Sequence, residues 1–166
     1  MILNFYRESF EPKMLTKLAD ALNGDAEKIT IYFSSNGGKN SVAEAATDLV
    51  NNNKDRFEII AYDYIGSNGF KFFMDIECEK RVLTNILAMH HQARTSIDID
   101  EFNKPYYQVD RAQIERMKFE RKDMDEFNRR IGLTASELRK FNRNDDVYFH
   151  YDRLLELIEN YKKNKL

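Results

Sequence analysis

A serine set among small residues, Gly66-Ser67-Asn68-Gly69, is the first stretch of this chain whose residue types suit chemistry. It lies between a strand-like run, Phe57 to Ala61, and a helix-like run holding Phe70, Phe72, Phe73 and Met74. A strand-to-helix turn lifts a side-chain oxygen clear of its own backbone, and the helix behind it directs N–H groups and its positive dipole end at the same spot. Ser67 so placed is either a nucleophile or an ordinary N-cap. A hydroxyl nucleophile needs a base, and the chain has three histidines, His90, His91 and His150. His90 and His91 end a strand-like run, so they face opposite ways and one of the two can face a site. The base needs an acid to fix its tautomer. With 28 Asp and Glu in the chain, residue type alone does not say which. Gly37-Gly38, in the polar stretch Ser34 to Asn40 after another strand-like run, is either a tight turn or a place where a backbone N–H meets a ligand. Metal chemistry is not expected. Adjacent strand histidines diverge, the lone Cys78 is not at ligand spacing, and no HExxH-type motif occurs, so neither metal nor cofactor is predicted.

The elements that position these residues read as follows. Met1 to Tyr6, Ile29 to Phe33 and Phe57 to Ala61 are expected strands, with two short ones at Arg81 to Leu83 and Ile86 to Met89. Pro12 opens a helix whose face is Met14, Leu15, Leu18 and Leu22, stopped by Asn23-Gly24. Ser41 with Glu44 has the pattern of a capping box, for a helix packing through Ala45, Ala46, Leu49 and Val50. From about residue 95 the chain turns helical and highly charged. A long helix from about Val109 to Arg130 carries Ile114, Met117, Met124, Phe127 and Ile131 and closes at Gly132. A second capping box, Thr134 with Glu137, starts a helix to about Phe141, and a last helix spans Tyr151 to Lys163. Alternating strands and helices over residues 1–94, then helices over 95–166, predict one α/β domain with a helical extension.

Composition excludes several classes. The 166 residues include 42% hydrophobic and 33% charged, an ordinary globular balance. A net charge of −2 argues against a dedicated nucleic-acid or anionic-membrane binder. The uncharged stretch Val82 to Ala93 is far short of the roughly 20 apolar residues a bilayer span takes, and MILNFYRESF lacks the basic and apolar regions of a signal peptide. With one cysteine, no internal disulfide is possible, and a reducing, cytoplasmic setting is expected.

In chain order, these pieces resemble the proteolytic subunit of the Clp protease, a serine peptidase family. Ser35-Asn36-Gly37-Gly38 stands where that family has Ser-Pro-Gly-Gly, and Gly66-Ser67-Asn68-Gly69 where it has a small residue, the nucleophilic Ser, Met and Gly. Lys80-Arg81 leads through a short run to His91-Gln92-Ala93, matching its His-Gln-Pro with Ala for Pro. Asn144 to Phe149 matches the segment bearing its acid, best at Asp146, with Asp145 the alternative. His91 follows Ser67 by 24 residues and Asp146 follows His91 by 55, several more than the pattern, which implies an insertion between Arg94 and Pro105.

The resemblance covers about residues 28 to 155 and implies a spiral of ββα units with a helical handle. It further implies a Ser67–His91–Asp146 triad, an oxyanion hole from the backbone N–H groups of Gly38 and Asn68, and cleavage of peptides or unfolded polypeptides. It implies a homo-oligomeric ring in which the long helix meets its counterpart through Ile114, Met117, Met124 and Phe127. The family's N-terminal axial segment is expected to be absent or cut down here. A standalone peptidase, or one with another partner, is therefore expected ahead of one served by an AAA+ unfoldase. Two other readings stand beside it: a catalytically inactive scaffold of the same kind, and an acyl-CoA enzyme of the crotonase type, which uses a related fold and paired backbone donors without a triad.

Overall fold

A computed structural model of the chain describes residues 1–92 and 111–164, with side chains throughout except at 111–117. Three long strands, β1 (Ile2–Phe10), β2 (Ile29–Gly38) and β3 (Phe57–Gly66), lie side by side and parallel. Each leads into a helix: α1 (Pro12–Asn23), α2 (Asn40–Asn51) and α3 (Asn68–Asp75). Two short strands share the edge of β3 opposite β2. β4 (Glu79–Val82) pairs with its first half and β5 (Leu87–His90) with Tyr64 to Gly66. Then follow α4 (Arg111–Ile131), α5 (Ala135–Asn142), β6 (Val147–His150) antiparallel to β5, and α6 (Tyr151–Lys163). Among the described residues the six strands form one mostly parallel sheet, so the chain is α/β as expected.

Strand alternation sets the core. Phe5, Ile29, Ile31, Phe33, Phe57, Ile59 and Ala61 are buried together with Met14 and Leu18 of α1 and with Phe72 and Phe73 of α3. The same cluster takes in Phe127 and Ile131 of α4, Phe141 of α5 and Leu154 and Leu157 of α6. The strand-rich and helical parts thus share one core. Lys71 on α3 adds a polar tie, reaching Asp75 at 2.6 Å and Asp123 of α4 at 3.5 Å.

The strands are longer than their apolar runs. β1 continues to Phe10, β2 to Gly38 and β3 to Gly66, where the sequence predicts strand ends at Tyr6, Phe33 and Ala61. The reason is a kink common to all three. The β1–β2 register shifts after Phe5 and the β2–β3 register after Phe33. Arg7 and Asp63 adopt φ of +52° and +58°. Arg7 grips Asp63 with two hydrogen bonds, 2.6 and 3.2 Å, and the Ser34 hydroxyl between them donates to the Tyr64 carbonyl at 3.0 Å. Beyond this row the strands turn polar, and the apolar signal stops although pairing continues.

Three further expectations are corrected. α2 starts at Asn40, with Lys39 at the N-cap and no side-chain cap, so the Ser41–Glu44 box does not form. Val42 and Ala43 are buried in place of the exposed Ala45. On α4, Phe127 is buried in this domain's own core and is not left for another subunit, while Met124 packs against the same core and stays partly exposed. Ile114 and Met117 lie outside the described side chains, and Val109 and the expected insertion from Arg94 to Pro105 outside the described residues. The Thr134–Glu137 box does form, with bonds of 3.2 and 2.7 Å, and Gly132 ends α4 at φ +71°. Among the described residues no helix is long and apolar enough to cross a membrane.

Candidate active site

The turn after β3 has one residue in which to reverse direction. Gly66 is the last to pair with β5, opposite Met89, and Phe70 and Phe73 of α3 are already wholly buried. Ser67 absorbs the change at φ 56°, ψ −125°. A non-glycine residue held there costs about 1–3 kcal/mol, which the surroundings must offset. They do so through the backbone. The Ser67 N–H donates to the Met89 carbonyl at 2.9 Å, and its carbonyl accepts from the Phe70 and Lys71 N–H groups at 3.0 and 3.1 Å. Ser67 sits at the N-cap position, yet its side chain caps nothing.

Small residues surround it because nothing larger fits. A Cβ at Gly37 would fall 2.6 Å from the Ser67 Cβ, one at Gly66 would strike the Tyr64 ring at 2.6 Å, and one at Gly69 would meet the Ser35 Cβ at 2.9 Å. Gly37 and Gly38 have φ of +98° and +134°, the left-handed half of the map where glycine is at ease. The expected loop at Ser34 to Asn40 is therefore mostly the kinked end of β2, laid against the serine turn. The Asn68 side chain joins the two, donating to the Gly38 carbonyl at 2.6 Å.

The neighbouring histidines divide as alternation requires. His90, the last residue of β5, is 1% exposed, stacked on Phe141 at 4.7 Å and walled by Phe70 and Phe127. Its Nε2 lies 2.7 Å from the Asn128 Oδ1 on α4. Burial pushes its pKa down to about 4, against the Asn128 hydrogen bond, with small further lowering from His91 and Lys71. His90 is thus a neutral core residue. His91, just past the strand, presents Nδ1 at 4.0 Å from Asp146 Oδ1. Asp146 also accepts from the Tyr148 hydroxyl at 3.3 Å. Asp145 is exposed, its N–H bonded to the Lys140 carbonyl, so Asp146 is the acid beside His91. Tyr64 flanks the same group. Burial first, then the charges of Tyr148 and Asp146, raise its hydroxyl pKa, while Arg7, 4.6 Å over its ring, opposes them.

The structure thus brings Ser67 against Gly37, Asn68 against Gly38, and His91 beside Asp146. The Ser67 N–H to Met89 bond ties the first group to the strand that leads into the second. His150, exposed at the start of α6, is not among the described contacts of this group. Cys78 is buried and its thiol is pushed up to about 11 by desolvation, which leaves it a poor nucleophile. Among the described residues no cluster of three His, Cys, Asp or Glu side chains is arranged to hold a metal. Sequence reasoning missed Asn128, Asn40, Arg7 and Asp63. The Arg7–Asp63 pair spans 56 positions and His90–Asn128 spans 38, and nothing local in the sequence announces either.

The buried histidine gives a pH dependence with a definite sign. Its folded pKa lies below the unfolded value near 6.5, so the unfolded state binds the proton first as pH falls. Stability is therefore full above about pH 6.5 and is lost down to about pH 4. Denaturant unfolding at pH 5 is expected to give about 2 kcal/mol less from this group than at pH 7. His90→Gln should flatten that slope. An unchanged slope would contradict the assignment.

No protein-family model matches the chain, and no curated protein matches it in sequence.

Proposed function

We propose that the chain is a serine peptidase of the Clp proteolytic-subunit kind, with a spiral ββα fold and handle helix, cleaving peptides or unfolded polypeptides in the cytoplasm. The observation that carries this reading is the backbone of Ser67. A serine held at positive φ, at a helix start it does not cap, between glycines that could not accept a side chain, is strained to no structural end. Presenting its hydroxyl accounts for the strain.

The chemistry runs on the groups around it. Ser67 Oγ attacks the peptide carbonyl carbon as its proton passes to His91. His91 has Nδ1 nearest Asp146, which leaves Nε2 for the serine. Asp146 stabilises the imidazolium that forms. The negative oxygen of the tetrahedral intermediate accepts hydrogen bonds from the backbone N–H groups of Gly38 and Asn68. Collapse breaks the C–N bond, the amine leaves with the proton from His91, and water repeats the sequence on the acyl-enzyme.

The test is hydrolysis of a fluorogenic peptide and of an unfolded polypeptide by the pure chain, without nucleotide or unfoldase. Turnover supports the reading; no turnover of either moves it to the inactive scaffold. The observation that favours the scaffold is the 4.0 Å between His91 and Asp146, longer than a hydrogen bond, although catalytic contacts often tighten only around substrate. The acyl-CoA reading has no such support, because that chemistry leaves the Ser67, His91 and Asp146 set without a role.

The same reading makes the chain a homo-oligomer, most simply a ring. What supports it is α4, whose Phe119 stands 74% exposed on a highly charged helix. Size exclusion with light scattering should give a mass several times 19.7 kDa, and Phe119→Glu should lower it. A clean monomer at micromolar concentration would remove this part of the proposal.

A further inference from the structure

Two adjacent glycines have no intrinsic preference for the conformation they hold here. Gly37 and Gly38 both sit at positive φ, so bonds from outside must fix them. Three do. The Gly37 N–H donates to the Ser35 hydroxyl at 3.1 Å, itself anchored on the Glu8 carbonyl at 2.6 Å. The Lys39 N–H donates to the Phe10 carbonyl at 3.1 Å. The Gly38 carbonyl accepts from Asn68 Nδ2 at 2.6 Å. The first two tether the segment to β1 and to β2 itself. Only the third comes from the turn that carries Ser67.

The Asn68 amide is itself oriented. Its second N–H donates to Asn40 Oδ1 at 2.5 Å, at the first residue of α2. A carbonyl can only accept, so the side-chain nitrogen must face Gly38. The side chain thus spans the starts of α2 and α3 and meets the glycine segment between them.

We propose that Asn68 is a positioning residue. Its side-chain amide, clamping the Gly38 carbonyl, holds the Gly37-Gly38 segment in register with Ser67 and so pre-organises the backbone N–H donors that receive the oxyanion. This inference rests on the peptidase reading. Pre-organisation acts on the transition state rather than on the bound substrate, because donors that must first be ordered lose part of their effect at the moment charge develops. Loosening the clamp therefore lowers kcat and leaves KM nearly alone.

The experiment compares the parent chain with Asn68→Leu and Asn68→Asp. Leucine keeps the approximate size without a donor, and aspartate sets an acceptor against the Gly38 carbonyl. Two quantities are read: kcat and KM for a fluorogenic peptide, and the affinity for a peptide boronate, whose boron adds to Ser67 Oγ to form a tetrahedral, negatively charged adduct. Both variants are expected to lose about 10- to 100-fold in kcat and in boronate affinity, with KM within about twofold. Should Asn68→Leu fail to fold, Asn40→Ala carries the same test, since it frees the amide without touching the turn; its expected loss is about 3- to 10-fold. Unchanged kcat and boronate affinity in the variants would overturn the inference while leaving the peptidase reading intact. So would equal losses in kcat and in peptide binding, the mark of a merely structural residue. A parent chain that forms no boronate adduct would overturn both.

Discussion

Ser67→Ala is expected to lower peptide hydrolysis by about 10⁴- to 10⁶-fold, to the level left by binding and the oxyanion donors alone. The fold should survive the change. The Ser67 side chain makes no cap bond, and its turn is held by backbone bonds to Met89, Phe70 and Lys71 that alanine keeps. Far-UV circular dichroism and the unfolding midpoint should therefore stay near those of the parent while turnover disappears. Activity within tenfold of the parent would assign the nucleophile elsewhere.

The second large effect separates two adjacent residues. His91→Ala should cost about 10³-fold or more in kcat, because no other described histidine stands beside Asp146. His90→Gln should keep activity within about tenfold at pH 7 and show its effect in stability, since His90 lies in an aromatic box and bonds to Asn128. Steady-state kinetics and thermal unfolding on both variants read the contrast. The reverse pattern would mean that the strand end is shifted by one residue, which exchanges the buried and facing side chains.

How much of this was legible follows from where hydrophobic burial governs the chain. Ile29 to Phe33 and Phe57 to Ala61 are core strands, and β-branched and aromatic residues declare them. Past the Arg7–Asp63 row most strand residues are polar or small, with Phe10 and Ile65 still buried in the core, and the continuous apolar pattern ends. Ser34 to Gly38 consequently read as loop although they continue as strand, and β3 runs on to Gly66, past its expected end at Ala61. Thr134 to Phe141 was legible because a capping box is wholly local. The Ser41–Glu44 pattern misled for the complementary reason. Lys39 N–H is drawn to the Phe10 carbonyl and Asn40 to Asn68, so tertiary bonds start the helix two residues early. Met124 and Phe127 looked unpartnered along a charged helix, but α4 lies against α3 and His90 rather than standing alone.

The candidate site was legible as residue types and less so as geometry. Asn68 meets Gly38, Ser67 lies against Gly37, and His91 stands beside Asp146. Asn36 and Asn68 stand where the resemblance has Pro and Met. Both turn out to be hydrogen-bonding braces of the glycine segment, Asn36 to the Arg7 carbonyl at 3.0 Å and Asn68 to Gly38. A side-chain amide supplies by bonding the rigidity that proline supplies by its ring. No one-dimensional pattern shows that exchange, because each bond reaches a residue about 30 positions away.

The central claim is that Ser67 is an activated nucleophile, and a fluorophosphonate probe tests it most directly. Phosphonylation replaces the probe's fluoride with Ser Oγ and needs both a deprotonating base and an anion-stabilising site, so an ordinary surface serine does not react. The parent chain, labelled at pH 7 to 8 and digested, is expected to carry one adduct by mass spectrometry, on the peptide holding Gly66-Ser67-Asn68, absent from Ser67→Ala and strongly reduced in His91→Ala. An unlabelled parent chain, or an adduct that persists in Ser67→Ala, would contradict the account.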